Sequence, residues 1–306
     1  MTLNHNLKRE KKFFKNKNIL ITGASGFIGK SFLKHISQFE CNIIAIYNKT
    51  KINLKKNNNI RLVKCDLLKS IPKKIKINNV DILFHFAGPK ADRKSMQIKS
   101  KILQSLVIDR NIIRYALNKK IPNFFFASSA AVYDVSKTNF KEKKLPINHN
   151  CDGVYGMSKL ITEELLYNSF DKKKLTICRF FSVYGKSSNT IINKWKYEIK
   201  KNKEIFIWGN GKTIRSWLHI DDVINGIIKM MVCRKNDIFY NLGSNEKLSL
   251  NKTFRIIKNK FLNSKSSIIY SKKTNSGPQK RFTNSNNLKK IGWNQKINLK
   301  EGINLI

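Results

Sequence analysis

The segment Asn18-Ile-Leu-Ile-Thr22-Gly23-Ala24-Ser25-Gly26-Phe27-Ile28-Gly29 decides the fold. Its first five residues form a short apolar run, which is typical of a buried parallel strand. Glycines then recur as G-x-x-G-x-x-G, and helical apolar spacing follows to Ile36. In such a turn the glycines permit tight folding, close approach of a pyrophosphate, and packing of helix on strand. The segment therefore predicts a dinucleotide-binding turn, with contacts from Gly23, Ser25, Gly26, Phe27, Ile28 and Gly29.

Strands and helices alternate after this turn. Five further apolar runs predict strands at Asn42–Tyr47, Ile60–Lys64, Asp81–Phe86, Asn123–Ala127 and Lys174–Phe181. Helical patterns lie between them, and the two longest cover about Met96–Leu117 and Tyr155–Asn168. This alternation predicts an α/β fold, a doubly wound parallel sheet with helices on both faces.

The alternation loosens from about Ser187, where shorter elements follow at Ile205–Trp208, Asp222–Val232 and Phe239–Leu242. We expect a dinucleotide-binding domain over residues 15–186 and a smaller C-terminal substrate-binding lobe over 187–306, with the chain crossing between them. The lobe should rest on the carboxyl ends of the strands, because open parallel sheets bind their ligands there.

The charge of the chain is large but dispersed. Of 306 residues, 61 are Lys or Arg and 19 are Asp or Glu, a net charge of +42. Hydrophobic residues make up 41% and aromatics 10%, which excludes a disordered polybasic chain. Lys outnumbers Arg about five to one and is scattered from Lys8 to Lys300, whereas a nucleic-acid site favours clustered Arg. We expect no specific nucleic-acid partner and attribute the lysines to compositional bias.

The sequence predicts a cytoplasmic protein. Met1 to Lys17 is polar and basic, unlike a signal peptide, and no stretch approaches the ~20 apolar residues that membrane insertion requires. Five widely spaced cysteines indicate reduced thiols without a CxxC pair, and we expect no metal. They are Cys41, Cys65, Cys151, Cys178 and Cys233.

A second constellation carries acid/base chemistry. Ser128 and Ser129 end the predicted fifth strand, and Tyr155 and Lys159 are spaced i, i+4, so they share one helical face. A phenol exchanges protons near pH 7 only if its pKa falls about 3 units below its usual ~10, which takes roughly 4 kcal/mol. A neighbouring ammonium can supply this stabilisation. The Y-x-x-x-K spacing alone is common on helices. It indicates a catalytic site here because the glycine turn and the paired serines precede it in the same chain.

Four motifs stand in a fixed order: GASGFIG (23–29), FHFAG (84–88), FASSAAVY (126–133) and YGMSK (155–159). Together they resemble the extended short-chain dehydrogenase/reductase family, in its NAD-dependent epimerase/dehydratase group that acts on nucleotide sugars. The resemblance extends from Lys17 to about Trp293. It implies a Rossmann fold, NAD(P) as cofactor, a nucleotide-diphosphate sugar as substrate and a role in surface-polysaccharide precursor synthesis. It also implies a homodimer that pairs the Met96–Leu117 and Tyr155 helices.

The resemblance assigns roles to individual residues. Tyr155 is the general acid/base, Lys159 stabilises its phenolate and binds the nicotinamide ribose, and Ser129 polarises the reacting C–O bond. Arg215, together with Lys280 and Arg281, would bind the substrate diphosphate. The other expected cofactor contacts are Asn48, Asp66, Leu67, Ala87, Gly88 and Phe181.

Several residues depart from the family pattern. Ser105 and Ser182 stand where Asn is usual, and Asn284 where Asp is usual. No carboxylate ends the second strand, and Lys49 or Lys51 there would accept a 2′-phosphate, so NAD and NADP both stay open.

The residues after Ser129 are Ala130 and Ala131, which transfer no proton. Dehydratases of this group carry Thr-Asp-Glu there and enolising reductases a Cys, so the alanines disfavour both reactions. Hydride transfer by a nucleotide-sugar epimerase or 4-keto reductase remains. Two alternatives are a non-catalytic or regulatory NAD(P)-binding protein and a reductase of a non-sugar ketone.

Overall fold

The computed structural model describes residues 2–53, 57–69, 71, 79–89, 99–138, 140–271 and 279–306. The strands are β1 Asn18–Thr22, β2 Asn42–Tyr47, β3 Ile60–Lys64, β4 Ile82–His85, β5 Asn123–Ser129, β6 Leu175–Phe180, β7 Ser182–Tyr184, β8 Ile205–Trp208, β9 Ile214–Arg215, β10 Trp217–His219, β11 Phe239–Leu242, β12 Leu248–Ser249, β13 Ile268–Ser271 and β14 Lys280–Arg281. The helices are α1 Thr2–Phe14, α2 Phe27–Ile36, α3 Lys99–Asn118, α4 Gly153–Ser169, α5 Ile191–Lys200, α6 Ile220–Val232, α7 Leu250–Lys258, α8 Asn286–Lys290 and α9 Leu299–Gly302.

Seven parallel strands form the main sheet in the order β3-β2-β1-β4-β5-β6-β11. β1 lies between β2 and β4, with Thr22 opposite Ile46 on one side and His85 on the other. The strand order therefore reverses direction beside β1, which creates a crevice at the carboxyl ends of β1 and β4. This arrangement confirms the predicted doubly wound, Rossmann-type α/β fold.

Helices cover both faces of the sheet. One face buries Phe32 of α2 and Ile227 of α6 against a cluster that includes Phe84. The other face buries Ile112 of α3 and Leu166 of α4 in a separate cluster. The two clusters explain why central strands such as β1 and β4 are nearly continuous apolar runs, since these strands are buried on both sides, whereas the edge strand β3 has no buried residue.

A smaller cluster lies among α5, α7, α9 and β8, where Trp195, Phe254 and Leu299 are buried. The expected division at residues 186 and 187 stays a prediction, but one element within it is corrected. We expect Phe239–Leu242 in the smaller lobe, and it instead pairs with β6 as a strand of the main sheet. Its four residues, FYNL, are all buried although the strand lies at the edge of the sheet, because β6 pairs with it on one side and α8 packs against it.

The basic segment before β1 forms helix α1, which the sequence does not predict. Phe14 is fully buried and stacks on Phe39 with ring centroids 5.4 Å apart. Glu10 is also buried, and this burial raises the pKa of its carboxyl. One apolar edge of this helix packs beside α6. The pattern of this edge is hard to recognise in the sequence because most of the surrounding residues are lysines and other polar residues.

A buried ion pair joins α4 to the sheet. Arg179 on β6 donates two hydrogen bonds to the Glu163 carboxylate, at 3.0 and 2.6 Å, and neither side chain is more than 2% exposed. The hydroxyl of Ser128 on β5 also donates to Glu163, and a further Arg179 N–H reaches Tyr133 at 2.9 Å. The network therefore fixes the helix that carries Tyr155 relative to the ends of β5 and β6.

Replacing Glu163 with Gln should lower the free energy of unfolding by about 3–5 kcal/mol, because Arg179 would then be buried without a counterion. Chemical denaturation of the purified protein measures this change. Glu198→Gln is the matched control, since Glu198 is half-buried and pairs with the exposed Lys194 at i, i+4, an interaction worth about 0.3–0.5 kcal/mol. Equal stability losses in the two variants would contradict a structural role for the buried pair.

Candidate active site

The glycine turn leaves no room for a side chain at Gly23. The residue has φ +68°, and a Cβ there would lie 2.5 Å from the Ala87 backbone nitrogen. A Cβ on Gly29 would lie 2.3 Å from the Gly23 carbonyl oxygen. Helix α2 begins immediately afterwards, with Gly26 as its N-cap, so bare amides and the positive end of the helix face the turn. The turn fits a pyrophosphate and brings Ala87 beside it.

The ends of β2 and β3 carry the next two predicted cofactor residues. The Asn48 side-chain amide donates to Asp66 at 3.4 Å, and the Leu68 backbone N–H donates to the same carboxylate oxygen at 3.2 Å. Leu67 is buried beneath them. The polar groups of Asn48 and Asp66 therefore lie together at the sheet edge, where the adenosine half of a dinucleotide would bind.

The two serines at the end of β5 have different partners. Ser128 is buried and bound to Glu163, whereas Ser129 caps the short 3-10 turn Ala130–Val132 and accepts the Ala131 N–H at 3.2 Å. This bond uses the oxygen of Ser129 and leaves its hydroxyl proton for donation. Ser129 is therefore the serine equipped to polarise a substrate oxygen.

The turn after Ser129 packs directly on the first turn of α4. The Asp152 N–H donates to the Ala131 carbonyl at 2.8 Å, and a Cβ on Gly156 would lie 2.0 Å from the same oxygen. Gly156, between Tyr155 and Met157, is therefore required for this close approach. The contact brings the Ser129 turn against the helical turn that carries Tyr155.

Lys159 is buried beneath the loop after β4. Its Nζ lies 4.7 Å from the ring centroid of Phe126 and 3.7 Å from Oδ2 of Asp109 on α3. It is also 3.6 Å from the position that a Cβ on Gly88 would occupy. Lys159 and the Ala87–Gly88 segment, which are far apart in sequence, therefore meet at the crevice beside β1.

The sequence does not predict the buried polar residues behind Lys159. The Asp109 carboxylate accepts hydrogen bonds from His85 Nε2 and from the Thr162 hydroxyl, each at 2.8 Å, and His85 Nδ1 lies 2.6 Å from the Thr22 hydroxyl. The available signal is Asp109 itself, a charged residue at helical spacing from the buried Ile102, Ile112 and Ala116. Unpaired carboxylates are almost never fully buried, so such a position indicates a partner.

Two of the predicted diphosphate-binding residues are neighbours across a small sheet. Arg215 on β9 and Arg281 on β14 are register partners in a parallel pair. Arg281 also donates to the Asp152 carboxylate at 2.7 Å, three residues before Tyr155. Lys280 is exposed, and the alternation of side chains along a strand directs it away from Arg281.

The remaining predicted and divergent positions are scattered around the site. Phe181 is buried against Tyr133 and Phe140 at the end of β6. Ser182 begins β7, and Asn284 is exposed before α8. Ser105 on α3 is fully buried, and its hydroxyl has no hydrogen-bond partner within the described ranges.

Cys151 lies beside the Ser129 turn, although it is 22 residues away in the sequence. Its thiol donates to the Val132 carbonyl at 3.4 Å. Burial, with the Glu163 carboxylate nearby, raises the pKa of Cys151 to about 11. The thiol is therefore protonated at neutral pH and is a poor base for abstracting a carbon-bound proton.

Within the described parts of the chain, no group of three or more His, Cys, Asp or Glu side chains is placed to hold a metal ion. The described helices include none with the length and apolar character needed to span a membrane. No disulfide joins the five cysteines, all of which lie in described residues.

The glycine turn, the crevice beside β1 and the Ser129, Tyr155 and Lys159 cluster define a dinucleotide-binding enzyme of the short-chain dehydrogenase type. The family model described as "NAD dependent epimerase/dehydratase family" matches residues 19–243, and the chain belongs to that family. The match confirms the predicted resemblance and, with it, the prediction of an NAD(P)-dependent enzyme.

Individual relatives cover almost the whole chain. It is 28% identical over 301 residues to a putative UDP-glucose 4-epimerase of Methanocaldococcus jannaschii, covering 93% of this chain and 95% of that one. It is 26% identical to the GDP-mannose 3,5-epimerase of Arabidopsis thaliana, over 95% and 81% of the two chains. The fold is similar, with a TM-score of 0.82 and 20% identity, to UDP-glucuronic acid 4-epimerase from Bacillus cereus in complex with UDP-glucuronic acid and NAD, over 94% and 97% of the chains.

Proposed function

We propose that this protein is an NAD(P)-dependent nucleotide-sugar 4-epimerase. The observation that carries the proposal is the position of the Arg215–Arg281 pair, which Asp152 links to the helical turn of Tyr155. Two guanidinium groups suit a diphosphate because each can donate two parallel hydrogen bonds. A diphosphate held there would leave its sugar within reach of the Ser129 and Tyr155 side chains.

Each side chain of the cluster has one task in this reaction. Tyr155 removes the proton of the C4 hydroxyl and later returns it, Ser129 donates a hydrogen bond to the same oxygen, and the Lys159 ammonium stabilises the phenolate. NAD, when bound, supplies the carbon that accepts a hydride from C4 and gives it back to the opposite face. Release of the hydride and of the hydroxyl proton together oxidises C4, and their return completes the inversion.

The residues that would hold the dinucleotide are distributed along the crevice. Gly23, Ser25, Gly26, Phe27, Ile28 and Gly29 offer backbone to the pyrophosphate, and Asn48, Asp66 and Leu67 bind at the adenosine end. Ala87, Gly88, Lys159 and Phe181 line the nicotinamide end. Lys49 and Lys51 are exposed near the end of β2, so the choice between NAD and NADP stays open.

Chemistry at C4 is favoured over chemistry at C3 or C5 by the groups that are present. Ala130 and Ala131 carry no acid or base, and the Cys151 thiol is protonated at neutral pH. Tyr155 is then the acid/base group of the cluster with access to substrate, and it suits a hydroxyl proton. A dehydratase would need a second acid/base pair beside the same turn.

A panel of UDP- and GDP-sugars tests the proposal directly. The purified protein, supplied with NAD and one nucleotide sugar at a time, should convert a member of the panel into its C4 epimer. Chromatography and proton NMR measure the conversion. Loss of conversion in an Arg215→Gln, Arg281→Gln double variant would support diphosphate recognition. If the wild-type protein inverts no member of the panel at C4, the proposed activity is wrong.

A 4-keto reductase is the second candidate, since it needs the same three side chains and a diphosphate site. Mass spectrometry of the nucleotide that co-purifies separates the two. An epimerase regenerates its cofactor in each cycle and should retain NAD. A reductase consumes hydride and should turn over 4-keto sugars only with added NADH or NADPH.

A homodimer through α3 and α4 is part of the proposal. The two helices pack side by side, and each exposes an apolar stripe. On α3 the stripe contains Leu103, which is 64% exposed, and Val107. On α4 it contains Met157 and Leu165, which is 45% exposed. Pairing both helices with a second copy would bury these side chains in a four-helix arrangement.

A cytoplasmic location and a role in polysaccharide precursor synthesis complete the proposal. The location is supported by buried thiols such as that of Cys178.

Light scattering after size exclusion tests the dimer. The wild-type protein should have a mass of about 71 kDa, twice the 35.6 kDa of the chain. Leu103→Glu combined with Leu165→Glu should halve it, because the charges would have to be buried at the interface. Leu262→Glu is the control, since Leu262 is 88% exposed in the other lobe. A wild-type monomer, or a double variant that remains dimeric, would rule out this interface.

A further inference from the structure

The ammonium of Lys159 has a buried counterion on a different helix. Asp109 on α3 is 1% exposed, and its Oδ2 lies 3.7 Å from Lys159 Nζ on α4. Across the described ranges, no other carboxylate lies within ion-pair distance of Lys159. A buried charge pair is geometrically fixed when its remaining hydrogen-bonding capacity is satisfied.

The Asp109 carboxylate meets that condition. Oδ1 accepts from His85 Nε2 on β4, and Oδ2 accepts from the Thr162 hydroxyl on α4, both at 2.8 Å. Burial alone would raise the pKa of the Asp109 carboxyl, but the Lys159 ammonium and the bonds from His85 and Thr162 bring the pKa below its usual value. The carboxylate is therefore charged throughout the neutral range.

The hydrogen bonds continue to the glycine turn with a defined direction. The Ala87 N–H donates to the Thr22 hydroxyl oxygen at 3.3 Å, and this hydroxyl lies 2.6 Å from His85 Nδ1. Because the Asp109 carboxylate can only accept, His85 Nε2 must donate to it, which leaves Nδ1 of a neutral imidazole to accept from Thr22. With Nδ1 as acceptor, the imidazole carries its proton on Nε2, which faces Asp109; this tautomer follows from the network. Thr22 immediately precedes Gly23, so an unbroken chain connects the pyrophosphate turn to Lys159.

We propose that Asp109 is a positioning residue that holds the Lys159 ammonium at the nicotinamide end of the crevice, and that Thr22 and His85 hold Asp109 in turn. The inference rests on the proposed function of Lys159. It adds that the negative charge of Asp109, acting through the Lys159 ammonium, disfavours the Tyr155 phenolate. A fixed anion raises the proton affinity of every neighbouring group, so its removal shifts each coupled ionisation to lower pH.

The charged and titratable groups near the Asp109–Lys159 pair lie on α3, α4, β4 and β6. Lys159 and, one turn earlier, Tyr155 lie on α4, and His85 lies on β4. Glu163 on α4 is neutralised by Arg179 of β6. On α3, the residue after Asp109 is Arg110, which is exposed to solvent.

Asp109→Asn tests the proposal because it keeps the shape and removes the charge. Ultraviolet absorbance measures tyrosinate formation, and subtracting the Asp109→Asn, Tyr155→Phe titration isolates Tyr155 from the other tyrosines. We expect the midpoint to move to lower pH by about half a unit or more relative to the same subtraction in wild type. The acid limb of the kcat/KM profile should move in the same direction.

Thr162→Val is the matched control, since it removes one hydrogen bond to Asp109 and keeps the charge, so its midpoint should stay at the wild-type value. An unchanged midpoint in a folded Asp109→Asn variant would overturn the proposal and leave Asp109 a structural role. If that variant does not fold, Asp109→Ser, which also lacks the charge, should shift the midpoint in the same way. An unchanged midpoint in Asp109→Ser would likewise overturn the proposal. The titration needs no sugar, so it can fail while epimerisation is observed, or succeed while epimerisation is absent.

Discussion

Tyr155→Phe should lower kcat for nucleotide-sugar turnover by about 10³-fold, within the 10²–10⁴-fold range that a positioned acid/base group contributes. The phenol ring packs in the first turn of α4 and is only 9% exposed, so phenylalanine preserves the packing and removes the proton carrier alone. NAD affinity and the unfolding midpoint should stay near wild type. Initial rates at saturating NAD and sugar measure the loss.

Tyr197→Phe is the control for this substitution. Tyr197 is on α5 in the smaller lobe and is 61% exposed, so it undergoes the same chemical change away from the cluster. Its turnover should match wild type. A Tyr155→Phe protein that binds NAD and retains full kcat would remove Tyr155 from the mechanism.

Gly23→Ala should weaken NAD binding by about 100-fold or more, equivalent to about 2.7 kcal/mol. The new Cβ would lie 2.5 Å from the Ala87 nitrogen and 2.6 Å from the Phe86 carbonyl carbon, and both are backbone atoms that cannot rotate away. The turn must then move away from the loop after β4, which separates the pyrophosphate amides from Gly88 and Lys159. Calorimetric titration with NAD measures the change.

Gly209→Ala separates this clash from simple backbone strain. Gly209 has φ +73°, close to the +68° of Gly23, but a Cβ there meets no atom within 4 Å. The left-handed conformation should cost about 1–2 kcal/mol of stability in both variants. Only Gly23→Ala should lose NAD affinity, and equal affinities in the two variants would show that the close approach to Ala87 is not required.

Local patterns were sufficient to predict six of the seven strands of the main sheet and the glycine turn. β1, β2 and β3 match the predicted strands residue for residue, because each is a short apolar run ended by turn residues. The glycine spacing indicates that the backbone of the turn has no room for side chains. In the structure, the reason at Gly23 is the close approach of the Ala87 backbone. The beginning of the predicted Met96–Leu117 helix lies outside the described residues, and the rest corresponds to α3.

Features that depend on contacts between distant segments were not predictable in this way. The position of β11 is set by pairing with β6, and α1 is stabilised by the stacking of Phe14 on Phe39 and by contacts with α6, a helix much later in the chain. Asp109 meets Lys159 only because α3 and α4 pack side by side. The serines illustrate the same limit, since their sequence context is alike and only the structure assigns Ser128 to Glu163.

Proton NMR of products formed in D₂O tests the central claim most directly, that Tyr155 moves a hydroxyl proton while the hydrogen on C4 is transferred as hydride. We expect a sugar nucleotide inverted at C4, with C4 still bearing protium and no deuterium at C3 or C5. Deuterium at any ring carbon would contradict the claim, because it requires abstraction of a carbon-bound proton and exchange with solvent.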